Sequence, residues 1–426
     1  MLFSSDVFAY FDNIKEFKLD NGLEVVLWEN HRAPIAKQML FYKVGAVDEA
    51  VGKGGLAHLL EHLMFRGTNK LPGQSFNELM EKNGVVSNAY TTQDVTSYHQ
   101  LLDVSRLERV MAAEADRMQN LNFNDDDFAA EQQIVLEERL QRVDNNPSAK
   151  FYETVRKALW QSHPYARQVA GEVAEISSLT RQEAQDFYHR YYAPNNAVLV
   201  LSGDLDENKA KELAQKYYGE MKSQEVSPTV MPEIMSDYSS TVDMKLSNVK
   251  MPRVLMAYVV PSFNYKPDMV YAFEVLSEYL GGDKNSPFYQ RMVLQNKRVL
   301  GVDVSYNPFS RSAGVFEISV LPRERADDDL IAAVRRGLNY ALTKLDVENL
   351  ELVKDKIIAD LIYTEDNLSG VAELIGVMAS RNIKLSNLQS YEANIRKVTL
   401  NDVREVFAYL QNEAPRVIGM LNPKED

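Results

Sequence analysis

The 426-residue chain contains no cysteine, two tryptophans and six histidines. Without thiols it cannot run cysteine nucleophile chemistry, close a disulfide framework or build thiolate zinc or iron–sulfur sites, so any metal must be held by His, Asp or Glu. The redox compartment stays open. No stretch approaches the roughly 18 or more uninterrupted apolar residues of a membrane span, and the start, MLFSSDVFAYFDNIKEF, has no basic end leading into an apolar core. The compartment stays open: a bacterial periplasm or envelope if a leader peptide has been removed, otherwise the cytoplasm. Basic residues are also scarce, with Lys+Arg 47 against Asp+Glu 61 and a formal charge of -14. That balance argues against a nucleic-acid backbone or an anionic membrane surface as partner and favours cationic peptides.

Histidine is missing from more than half of the chain. His31, His58, His62, His99, His163 and His189 all precede residue 190, which confines imidazole chemistry to the first half. At roughly 100–200 residues per domain the length suits two to four domains. Residues 223–241, SQEVSPTVMPEIMSDYSST, carry two prolines and a run of small polar residues. They predict a linker at 226–241 between a domain at 1–225 and another at 242–426. The two sides look alike. SLTRQEAQDFYHRYYAPNNAVLVLSGDLD and KVTLNDVREVFAYLQNEAPRVIGMLNP both read as a helix, a turn and an apolar strand. Thr180 matches Thr399, Tyr188 matches Phe407 and Val198 matches Val417, a constant offset of 219. FNDDDF at 123–128 and LDVENL at 345–350 both precede long helical patterns, at an offset of 222. These matches predict an internal duplication, and an α+β fold of two homologous domains. Each would be an antiparallel or mixed sheet packed with helices. Strand patterns fall at 23–28, 36–44, 95–102, 198–203, 254–260, 302–306 and 315–321, with Asn21-Gly22 and Asn83-Gly84 as turns.

The chemistry concentrates at Gly54–Phe65, GGLAHLLEHLMF, an apolar proline-free segment that reads as a largely buried helix. Residues i, i+3 and i+4 share a helix face, so His58 and His62 can address one ion while Glu61 stands beside it. This order, HxxEH, is the inverse of the commoner HExxH zinc-protease helix and defines the inverzincins. A chance origin in a chain this poor in histidine is on the order of one in a hundred. Burial weighs further against chance, because two imidazoles and a carboxylate on a Leu/Met/Phe helix cost desolvation that a divalent cation offsets. Catalytic zinc takes three protein ligands, which leaves one to find. The acidic helix pattern AAEQQIVLEERLQRV offers Glu131, Glu137 and Glu138. Glu131 and Glu138 share one face, with Glu137 turned about 100° from Glu138 toward solvent. Helix geometry leaves the choice between Glu131 and Glu138 open.

With these motifs in view, the sequence resembles the pitrilysin, insulysin and mitochondrial processing peptidase family of zinc metallopeptidases. The resemblance spans nearly the whole chain: the first strand with its Asn-Gly turn, KVGAVDEAVGKGGLAHLLEHLMFRGT, NAYTTQDVTSY, the LEER helix and the duplicated second half. In that family HxxEH is followed about 75 residues later by a glutamate ligand, and residues 63–137 separate His62 from Glu138. The resemblance thus implies one Zn²⁺ per chain on His58, His62 and Glu138, with Glu61 as general base. It also implies an accessory acid at Glu131 and a substrate that adds as a strand to the edge at Val86–Tyr98, near Asn88 and Ala89. Unpaired backbone groups on an edge strand bind extended peptides with little regard to sequence.

One part of the family pattern is absent. Relatives carry an arginine and, seven residues on, a tyrosine in the second half, where this chain has Gln295 and Val302. Tyr306 with Arg298 or Arg291 is the expected replacement, since Val302, Val304 and Tyr306 share one strand face. The resemblance implies that the two domains form one half of a clamshell chamber. It also implies a homodimer, or a heterodimer with a non-catalytic homologous subunit that supplies the missing pair. The function implied is a zinc metalloendopeptidase acting on unstructured or presequence-like peptides enclosed in the chamber. The competing expectation is a non-proteolytic chamber, assembly or peptide-binding subunit of the same family, and the intact HxxEH weighs against it.

Overall fold

The computed structural model describes residues 11–227, 229–235 and 238–424. Its strands form two sheets. The first contains β1 (Ile14–Lys18), β2 (Glu24–Glu29), β3 (Ile35–Tyr42), β4 (Val86–Thr91), β5 (Thr96–Asp103) and β6 (Ala197–Gly203), in the order β1-β2-β6-β3-β5-β4. The second contains β7 (Ser239–Leu246), β8 (Arg253–Val260), β9 (Val299–Asn307), β10 (Gly314–Pro322) and β11 (Arg416–Pro423), in the order β7-β11-β8-β10-β9. Dropping β1, the two orders superimpose strand for strand. The pairs β2/β6 and β11/β7 are parallel and the remaining pairs antiparallel. The expected α+β class with two similar sheet-and-helix units is therefore the observed one.

Among the helices packed with these sheets are α1 (Leu56–Leu63), α2 (Asp125–Arg139), α3 (Pro147–Trp160), α4 (Arg181–Tyr191), α5 (Val270–Gly281), α6 (Val347–Glu365), α7 (Leu368–Ser380) and α8 (Leu400–Asn412). Helices α4 and α8 begin alike. Thr180 accepts from Glu183 N–H while the Glu183 carboxylate accepts from Thr180, and Thr399 and Asp402 repeat this capping box 219 residues later. Both helices lead into the parallel-paired strands β6 and β11.

The contacts divide the chain into two units, and each borrows a helix. The first comprises the chain to Arg139, Arg167–Val230 and Tyr363–Gln389; the second comprises Leu140–Ala166, Met231–Ile362 and the chain from Ser390. Helix α7, from the second half of the sequence, thus packs on β3 and β6 of the first sheet. Helix α3, from the first half, packs on β7, β8 and β11 of the second. Each exchange depends on a glycine: a Cβ on Gly376 of α7 would lie 1.9 Å from the Phe41 ring, and one on Gly419 of β11 would lie 2.6 Å from Phe151 and Val155 of α3.

Strand alternation sorts the first sheet into two apolar faces. Val25, Leu27, Leu40, Tyr42, Tyr98, Leu199 and Leu201 face α1 and bury against Leu56, Leu59, Leu60 and Leu63. Each leucine so covered contributes roughly 1.5–3 kcal/mol, which seats the motif helix firmly. Met39, Phe41, Val198 and Val200 face the other way and are equally buried.

Candidate metal centre

Helix α1 enters through Gly55, whose φ of 88° is left-handed and favours glycine. Its start is covered by a side chain that the sequence did not advertise. Glu49, 2% exposed, accepts from Ala57 N–H at 2.8 Å through Oε1 and from Gly55 N–H at 3.2 Å through Oε2. A carboxylate there satisfies orphan donors and complements the positive end of the helix dipole. Burial pushes the Glu49 carboxyl well above the usual range, against the pull of those two backbone bonds and of Arg167.

From this seat α1 presents His58, Glu61 and His62 toward α2. Glu138 Oε2 lies 3.3 Å from His58 Nε2 and 3.6 Å from His62 Nε2. One ligand atom from each of His58, His62 and Glu138 lies within 4.8 Å of the others, the one such three-residue group of metal-ligand type among the described residues. The imidazole rings stand edge to face, 84° apart. Separations of 3.3–3.6 Å are long for N–H···O hydrogen bonds, which cluster near 2.9–3.0 Å. They match the edge of a tetrahedron about a zinc with bonds of roughly 2.0–2.1 Å, which is about 3.3 Å. Two imidazoles and a carboxylate on half-buried side chains form a donor set that suits zinc.

The rival carboxylate takes a different place. Glu131 Oε2 accepts from His62 Nδ1–H at 3.0 Å, and its Oε1 accepts from Arg66 at 2.6 Å. The two glutamates of one helix face thus reach opposite edges of the same imidazole. Glu131 acts on the tautomer and orientation of His62, leaving Nε2 to face Glu138. Burial opposes charge on His62, but the Glu131 hydrogen bond and the negative charges of Glu131, Glu61 and Glu138 outweigh it and hold its pKa above the ordinary 6.5. Glu131 is likewise disfavoured as an anion by burial, yet His62 and Arg66 keep its carboxyl below the usual range.

Glu61 is 9% exposed, and its Oε2 accepts from the Thr91 hydroxyl at 2.5 Å. Thr91 ends β4, which among the described residues is the outer strand of its sheet and pairs with β5 alone. Asn88 is exposed on that strand, and its Oδ1 accepts from the neighbouring Ala89 N–H at 2.9 Å. The structure therefore brings His58, His62, Glu138, Glu131, Glu61 and one end of the Asn88–Ala89 strand together. Arg66, Thr91 and Glu49 join them unannounced. Of these, only Arg66 left a usable sequence signal, its i+4 spacing from His62.

Tyr306 and Arg298 are not brought together. Val302, Val304 and Tyr306 do share a face, but it is the face packed on the second core, where the Tyr306 ring lies 5.5 Å from Phe273 and its hydroxyl donates to Pro261 O at 2.7 Å. Arg298 instead pairs with Asp329 at 2.8 Å. Most of β9 separates them, roughly 26 Å at 3.3 Å per residue. Arg291 donates to Gln295 Oε1 at 3.2 Å and lies over the Tyr340 ring.

Residues 24–173 match the family described as Insulinase (Peptidase family M16), and residues 178–357 match Peptidase M16 inactive domain. The zinc protease PqqE of Helicobacter pylori is 29% identical over 408 residues, 93% of this chain and 90% of that one. A probable mitochondrial-processing peptidase subunit beta of Arabidopsis thaliana is 23% identical over 96% of this chain and 78% of its own. Among solved structures, a Helicobacter pylori protease aligns with a TM-score of 0.86 at 26% identity, covering 96% of this chain and 99% of that chain. The periplasmic protease PqqL of Escherichia coli shares the fold at a TM-score of 0.80, and this chain covers 48% of its length. Among the described residues no helix is long and apolar enough to cross a membrane.

Proposed function

Because the chain belongs to the insulinase family of peptidases, we propose that it is a zinc-dependent metalloendopeptidase that hydrolyses unstructured peptides, presequence-like segments among them. The observation that carries this reading is the convergence of three ligand atoms beside a carboxylate that itself touches the end of an edge strand. His58, His62 and Glu138 would hold Zn²⁺, which when bound supplies Lewis-acid polarisation of the peptide carbonyl and acidifies a water at the site. Glu61 takes the proton of the attacking water and returns it to the leaving amine. Thr91 fixes one oxygen of Glu61, and Glu131, braced by Arg66, keeps His62 aimed. A peptide laid along β4 displaces Asn88 Oδ1 from the Ala89 N–H and gains a backbone partner there. The charge of -14 favours basic substrates.

The active form in this reading is a homodimer, or a heterodimer with a homologous subunit that lacks the motif. Two observations support it: one relative is named as a subunit, and PqqL is about twice the length matched here. Mass in solution, with cleavage assayed for the chain alone, separates these forms; full activity from a monomer contradicts both. The chemistry is tested by cleavage of an unstructured basic peptide by the wild type, by Glu61→Gln and after chelation. Unchanged cleavage by metal-loaded Glu61→Gln defeats the mechanism. A wild type that binds metal and peptide but never cleaves makes the chain a chamber or peptide-binding subunit.

A further inference from the structure

Strand β4 is held from both faces. On the α1 side Thr91 contacts Glu61, whereas Tyr90, by strand alternation, points the opposite way. Its hydroxyl donates a hydrogen bond to Glu373 Oε1 on the borrowed helix α7. Just past β4, Asp94 pairs with Arg381, the residue that caps the C-terminus of α7, at 3.3 Å. Asp94 is 3% and Arg381 7% exposed, so solvent screens this pair little. Gly376 lies between the two anchors and lets α7 settle onto Phe41. Lys37, buried on β3, also has Glu373 as the opposite charge acting on it.

An edge strand has a hydrogen-bonded neighbour on one side only and belongs to the less stable elements of a sheet. A phenol-to-carboxylate bond is charge-assisted and roughly twice as strong as a neutral one, so Glu373 supplies part of what a second neighbouring strand would. We propose that Glu373 is a positioning residue for peptide binding: through Tyr90 it holds β4 in the geometry that accepts an added strand. A helix encoded beyond residue 363, in the half without HxxEH, thereby sets the affinity of the first unit for an extended peptide. This inference rests on the proposed role of β4 as the substrate edge.

The test compares Tyr90→Phe, Glu373→Ala, Glu373→Gln and the double variant Tyr90→Phe/Glu373→Ala in the full chain, with an unstructured peptide long enough to run along β4. Tyr90→Phe and Glu373→Ala should each raise KM on the order of tenfold, the effect of losing one hydrogen bond to a charged group, with kcat and zinc content little changed. The double variant should be no worse than the poorer single one. Glu373→Gln should recover about half of the loss on a logarithmic scale, because its amide oxygen still accepts from the phenol but without the charge. Amide hydrogen exchange of Val86–Thr91 should accelerate in Glu373→Ala while that of α1 does not. The exchange measurement needs no turnover, so it reads the positioning claim even if the wild type proves unable to cleave. Unchanged exchange in β4, additive KM effects in the double variant, or a loss that tracks falling zinc content would each overturn the proposal.

Discussion

The two sheets are built alike, and in each a helix follows the strand that sits third from one edge, α1 after β3 counted from β4 and α5 after β8 counted from β9. What those helices carry differs. Helix α1 presents His58, Glu61 and His62 to a carboxylate on α2. Helix α5 presents Glu274 among Tyr271, Tyr391 and Tyr306, where burial pushes its carboxyl up to about 7 against the pull of a Tyr391 hydrogen bond. A shielded acid can be neutralised by taking up a proton or by gaining a cationic partner. In the second unit burial shifts Glu274 toward the first, with no histidine near it in sequence beyond residue 189. The first unit gathers three carboxylates around one imidazole, an arrangement suited to a divalent cation. The same architecture thus holds a cluster of metal-ligand type in one unit and a tyrosine-lined acid in the other, according to a handful of side chains.

The contrast breaks most sharply at Glu61. Glu61→Gln should lower kcat for peptide cleavage by about 10²–10⁴-fold, the contribution of a general base, with metal content unchanged. Glu274→Gln, on the helix that follows β8 as α1 follows β3, should leave kcat alone. A comparable loss in both would show that the halves share the chemistry. Metal affinity ranks next. Glu131→Gln should weaken zinc binding by roughly 10–100-fold, as loss of an orienting partner does, and Glu138→Gln by more, because a ligand is removed. Competition with a coloured chelator measures both, and the reverse order would exchange the roles of the two glutamates.

The borrowed helices offer a test on stability. Gly376→Ala drives a methyl into the Phe41 ring and should cost about 1–3 kcal/mol, read from the denaturant midpoint. Gly419→Ala, with more room before Phe151, should cost less. Equal and negligible costs would mean that neither helix is packed as described.

Acidity gives the smallest effect. The His62 pKa is raised in the metal-free fold, so the stability this contributes is fully present below the unfolded value near 6.5 and is lost as pH rises through the folded value. Zinc needs the same nitrogen unprotonated, so affinity should decline as pH falls through that raised value, before an ordinary imidazole would titrate. Chelated protein should therefore gain thermal stability on acidification over the window in which loaded protein loses metal. A loaded protein whose affinity first falls below pH 6.5 would contradict the described environment of His62.

Much of this was legible in the sequence because it is periodic. Spacing i, i+3, i+4 put the HxxEH side chains on one face, the 219-residue offset announced the matching capping boxes of α4 and α8, and apolar runs marked β2, β3, β6 and β8. Periodicity does not carry an address, however. It told that Glu131 and Glu138 share a face but not which meets Nε2 and which Nδ1. It told that Val302, Val304 and Tyr306 share a face, but not that this face packs on the second core. Nothing in the pattern of α3 or α7 indicates that each covers the other half's sheet, since an amphipathic helix does not specify which apolar surface it meets. Glu49 and Thr91 reach the site from a loop and a strand end, where no repeat marks them.

Metal stoichiometry tests the central claim most directly. Elemental analysis of the purified, zinc-equilibrated chain should find about one zinc per chain, as a single His₂Glu set requires, and almost none in His58→Ala. Two per chain, or one retained in His58→Ala, would place the ion elsewhere and contradict the assignment of the chemistry to the first unit alone.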